Sequence, residues 1–203
     1  MRRIISLFAI AIVALSSFAQ ISIGIRSNRF VNISYLYKDH YFARLEQSVF
    51  SEKPGLQYMR GYAGYETHIS AFDLKGTAYF GSTFNRLYYS TGASVEARIR
   101  PIPFLIVDGR FNPHYDSGFG YTSCYYGGLG ACITKHIDIL VGYTNIPEYR
   151  MPEKRLNMGF DFHIKNLVVR PKFSLNLSSD SGPKSLRPII DFEYTFPKKS
   201  RHE

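Results

Sequence analysis

The chain of 203 residues has no tryptophan, only two cysteines and, after its first fifteen residues, no long apolar run. A helix needs roughly twenty apolar residues to cross a bilayer, so nothing beyond the extreme N-terminus reads as a helical membrane anchor; mean hydropathy is −0.16. No segment sustains the i, i+3, i+4 period of an amphipathic helix. There is no phosphate-binding glycine loop, no nucleophile-elbow motif and no metal-ligand spacing, and the sequence calls for no cofactor. Cys124 and Cys132 share parity, and eight residues of strand separate them by about 26 Å, beyond disulfide reach. A bridge requires Gly127-Gly128 to fold into a hairpin instead.

What is present begins with a leader. Arg2-Arg3 precedes an apolar stretch, Ile4–Leu15, and Ser17 and Ala19 place small residues before Gln20. This is the layout of a secretory signal peptide cut after Ala19, so 1–19 reads as the signal, 20–196 as one domain and 197–203 as a short basic tail. The formal charge of +9 falls to +7 once Arg2 and Arg3 leave. An exported basic chain has little occasion to meet nucleic acid; anionic lipopolysaccharide is the expected partner, by nonspecific attraction.

The rest of the sequence alternates with period two, the signature of strands with two unlike faces. The segment Leu186–Phe196 is the clearest case. Ile190, Phe192, Tyr194 and Phe196 fall on one face, and Arg187, Asp191 and Glu193 on the other. The same division runs back through the chain. One face carries Ile21, Ile23, Ile25, Leu74, Phe80, Val95, Leu129, Met158, Phe160 and Phe173. The other carries Arg44, Glu46, Arg60, Glu66, Asp73, Lys75, Glu96, Arg98, Asp108, Arg110, Asp138, Asp161, His163, Arg170 and Lys172. About twelve strands result, mostly nine to twelve residues long, the length of tilted membrane-spanning strands; ten remain if Ile21–Arg26 is only a lead-in. Short connections (38–40, 67–69, 100–103, 134–136, 164–166) alternate with longer ones (51–55, 81–87, 113–119, 146–154, 178–184). Tyrosine and phenylalanine collect near strand ends on the apolar face, where interfacial girdles sit.

The leader, the strand pattern and Phe192-x-Tyr194-x-Phe196 resemble those of a bacterial outer-membrane β-barrel protein of the Gram-negative type. The resemblance covers the whole mature chain as a pattern. It implies an all-β, antiparallel, up-and-down transmembrane barrel contacting the lipid bilayer and lipopolysaccharide. It also implies that Phe192, Tyr194 and Phe196 are read by the barrel-assembly machinery, although here a tail, Pro197–Glu203, follows them.

The charged face then points into the lumen. Its signs nearly balance, which suits either an ion-paired filling or a hydrated, porin-like passage with mild anion preference. The leading expectation is a nonenzymatic barrel, acting as a passive small-solute channel or as a structural and surface-interaction protein. One alternative is a barrel hydrolase of lipid or peptide, suggested by His114, Asp116 and Ser117, although Asp-Ser after proline and before glycine is ordinary turn chemistry. Another is a soluble secreted β-barrel holding an apolar ligand.

Overall fold

A computed structural model describes residues 19–49, 56–146, 154–177 and 186–197. Within them lie twelve strands: β1 (Ala19–Arg26), β2 (Phe30–Tyr37), β3 (Tyr41–Ser48), β4 (Tyr58–Ile69), β5 (Phe72–Thr83), β6 (Tyr89–Ile102), β7 (Leu105–Asp116), β8 (Gly120–Thr134), β9 (Ile137–Thr144), β10 (Arg155–Ile164), β11 (Leu167–Asn176) and β12 (Leu186–Thr195). Each pairs antiparallel with its sequence neighbour, and β1 pairs with β12, closing the barrel. Ile21–Arg26 is thus a full wall strand, and the ten-strand alternative falls away. The leader up to residue 18 and the tail from residue 198 lie outside the described residues.

Turn chemistry fixes the hairpins at both ends. Ser27 and Asn28 have φ of 56° and 55°, and Lys38 and Asp39 have 51° and 60°. Two consecutive positive φ values are the type I′ geometry whose twist matches that of the flanking strands. The bonds Arg29 N–H to Arg26 O (3.1 Å) and His40 N–H to Tyr37 O (3.2 Å) close these turns.

The barrel wears its apolar face outward. Val95, Leu129, Phe80 and Phe173 are more than half exposed, whereas Glu46, Arg60, Asp138 and Asp161 are buried. This inverts a soluble β-sandwich, whose apolar faces meet inside, and it is the arrangement a hydrocarbon surround requires. The few buried apolar residues include Phe30, Tyr58 and Tyr88, a cluster inside the barrel near the end opposite the termini. Strands β4 to β8 run 12 to 15 residues, while β9 and β1 to β3 have eight. One side of the wall is therefore taller.

Several connections are shorter than the sequence reading has them. The segment 67–69 is strand, since β4 runs to Ile69 and the turn falls at Ser70 and Ala71, and β5 runs on to Thr83. The segment 113–119 is not a loop throughout: β7 continues through Pro113 and His114 to Asp116. Continuation buries His114 and Asp116 on the inner face, and the Asp116 carboxylate then accepts the N–H groups of Gly118 and Phe119 at 2.8 and 2.7 Å to form the turn. The connection at 100–103 shrinks to residues 103–104 because β6 carries a register shift between Ile99 and Ile102 and runs on. As the strand reading expects, β8 passes straight through Gly127-Gly128 without a hairpin, and both cysteines are free thiols.

Candidate functional site: the charged lumen

The inward charges meet in pairs set by strand register. Glu66 and Lys75 are directly opposed on β4 and β5, 2.8 Å apart. Between β6 and β7, Arg98 grips Asp108 with two bonds of 2.7 and 2.9 Å, and Arg110 reaches Glu96 at 2.7 Å. On β10 to β12, Arg170 contacts Glu193 at 3.0 Å and Asp161 at 3.5 Å, and Lys172 contacts Asp191 at 2.7 Å. Arg26 reaches past β2 to hold buried Glu46 in a bidentate pair of 2.6 and 2.8 Å. His163 pairs across the ladder with Asp138 at 3.3 Å rather than with Asp161 on its own strand. Asp73 accepts from His68 and lies 3.7 Å from Arg100.

Two lumen cations have hydroxyl partners instead. Arg44 donates to Ser34 at 2.8 Å. Arg60 donates to the hydroxyls of Tyr58 and Tyr62, and its guanidinium lies 5.0 to 5.7 Å from the ring centroids of Tyr58, Tyr62 and Tyr79. Guanidinium over an aromatic face is a favourable arrangement. Arg187 stands apart: it is exposed at the start of β12 and lines neither cavity described below.

These side chains leave space between them. A cavity of about 680 Å³ is lined by Asp39, His68 and Asp73 at the short-turn end and by Arg26, Ser27, Ile146 and Arg155 at the other, so it runs the length of the barrel. A second, of about 360 Å³, lies against β3 to β7. Its lining stops below Phe30 and Tyr58, which are fully buried. Both cavities share Arg26, Lys75, Glu96, Arg98, Arg110, Arg170 and Ile146. The seam between them is thus dominated by long cationic side chains, each anchored at its head by an acid of the wall.

His114, Asp116 and Ser117 do not assemble as a triad. His114 is buried, bonded through Nδ1 to Tyr79 Oη at 2.7 Å, with Nε2 3.4 Å from Asp116. Ser117 lies in the exposed turn, where its Oγ accepts the N–H of Tyr89. Phe192, Tyr194 and Phe196 all point outward, each about two-fifths exposed; Tyr194 and Phe196 form an edge-to-face pair at 5.1 Å. The interior carries charge and hydroxyls, not the apolar lining a lipid-binding soluble barrel needs.

Alternation puts Tyr58, Tyr62 and Tyr79 on the charged face but gives them no role, and it passes over the inward Phe42, Tyr126 and Ile146. The available signal was the glycines. A side chain added at Gly64, Gly81, Gly92 or Gly142 would collide with Phe42, Tyr58, Tyr79 or Tyr126 respectively, so an inward ring on one strand had a glycine waiting on the next.

No family model matches the chain, and no curated protein is similar to it in sequence. Solved structures are similar in fold. A KdgM porin in complex with disordered oligogalacturonate superposes with a TM-score of 0.62 at 12% identity, over 88% of this chain and 99% of that one. Another KdgM porin structure gives 0.58 at 14% identity, with the same coverage of each chain. The fold is therefore that of a twelve-stranded porin-type barrel.

Proposed function

We propose that the protein is an outer-membrane channel for passive movement of small hydrated solutes, with a preference for anions. The carrying observation is the cavity that reaches from the Asp39–His68–Asp73 end to the Arg26–Arg155 end, with Arg26, Arg98, Arg110 and Arg170 at its seam with the second cavity. Acids line the passage beside these cations, but each cation is the more exposed of its pair (Arg26 30% against Glu46 1%, Arg98 33% against Asp108 10%, Arg110 40% against Glu96 27%), so the charge met by a solute at the seam is mainly positive. The outward apolar surface supports membrane insertion. The KdgM neighbour was solved with an oligogalacturonate, and that polyanionic sugar is a reasonable solute to try here. Swelling of liposomes containing the barrel tests the reading: uptake of galacturonate should exceed that of a neutral sugar of equal size. No uptake of either would overturn it.

The remaining expectations belong to the same reading. Signal peptidase cuts after Ala19, the basic tail 197–203 stays in the periplasm, Phe192, Tyr194 and Phe196 engage the assembly machinery, and lipopolysaccharide surrounds the outer half. Mass spectrometry of the exported protein checks the first of these; a mature N-terminus other than Gln20 would contradict it.

A further inference from the structure

Resting on the channel reading, we propose that Tyr126 is a stacking platform that makes the passage prefer ring-shaped anions over open-chain anions of the same charge. Tyr126 points inward from β8 and lies down over the neighbouring glycines. A Cβ at Gly142 would overlap its Cε2, Cζ and Oη, and one at Gly128 its Cζ and Oη. Gly128 and Gly142 are directly paired across β8 and β9, so together they leave a recess that the ring occupies against the wall.

Covering a glycine with a cross-strand aromatic is a common way to stabilise a barrel wall, and Phe42, Tyr58 and Tyr79 do this here. Those three rings are buried. Tyr126 differs: it is partly exposed and lines the through-passage. Its surroundings are also unlike the rest of the lumen. Tyr126, Leu140, Gly142 and Gly159 line the same cavity, so the ring borders open space. Arg110 is the direct strand partner of Tyr126, and Arg98 lies two residues of β7 register away, beside Asp108. A ring acid can therefore place one face on Tyr126 while its carboxylate reaches a guanidinium. An extended chain has the carboxylate but no face to offer.

Glucuronate and gluconate form a matched pair for the test, one cyclic and one linear, each a monocarboxylate. Blockade of potassium chloride current through single channels gives the residence of each, and titration calorimetry on the detergent-solubilised barrel gives binding without requiring conduction. Wild type should hold glucuronate longer than gluconate by about three- to tenfold, the weight of one aromatic face. Tyr126→Leu should abolish the difference, Tyr126→Phe should retain it, and Gly142→Ala should reduce it by displacing the ring. Heat-modifiable mobility on gels verifies that each variant folds. A conducting, folded Tyr126→Leu barrel with undiminished ring preference would overturn the proposal and leave the channel intact. A wild-type barrel that conducts nothing would overturn the channel reading, and this inference with it.

Discussion

At the scale of single residues, burial decides which charges matter to stability. Glu46 has a side chain 1% exposed and holds Arg26 bidentately; Glu66 is one-third exposed and makes a single contact with Lys75. Breaking a buried pair strands the surviving charge and costs about 3–5 kcal/mol, whereas an exposed pair contributes about 1 kcal/mol or less. Urea unfolding of the barrel in liposomes should accordingly find Glu46→Ala far more damaging than Glu66→Ala. Equal losses would mean the lumen around Glu46 is wetter than its packing suggests. On the outer face, Phe160 lies among Met158, Phe162 and Ile139. Phe160→Arg should cost about 2–4 kcal/mol if the site meets mid-bilayer hydrocarbon; full tolerance in the same unfolding assay would contradict the face assignment.

The elements are where the sequence was most readable. Period-two alternation sorts nearly every strand correctly because one face meets hydrocarbon and the other water and charge, and a slip of one residue would exchange them. Strand ends were less readable. Pro113 looked like a loop residue, yet proline is tolerated at a ladder position that needs no N–H donor, and the burial of His114 and Asp116 carries β7 past it. The ion pairs were legible as two matched sets of charges, but not as partners: His163 selects Asp138 through cross-strand register, which alternation alone does not fix. The closing seam makes a prediction of its own. A Cβ at Gly24 on β1 would sit 2.5 Å from the backbone oxygen of Phe192 on β12, whereas one at Gly61 meets nothing within 4 Å. Gly24→Ala should lower the melting temperature of the folded band, and Gly61→Ala should leave it nearly unchanged; the reverse order would place the seam elsewhere.

At the scale of the whole molecule, polarity is inverted across a closed wall. Outward side chains suit lipid, inward charges hold one another near the wall, and a passage persists between them because β8 to β10 contribute glycines where β3 to β7 contribute rings and arginines. The competing picture has the same charges filling the barrel so completely that ions do not pass. Zero-current potential across a planar bilayer separating unequal potassium chloride solutions decides between them most directly. A conducting channel whose potential has the sign of chloride preference, reduced or reversed by Arg110→Glu, is the predicted result. A folded barrel that passes no current, or one selective for potassium, would contradict the account.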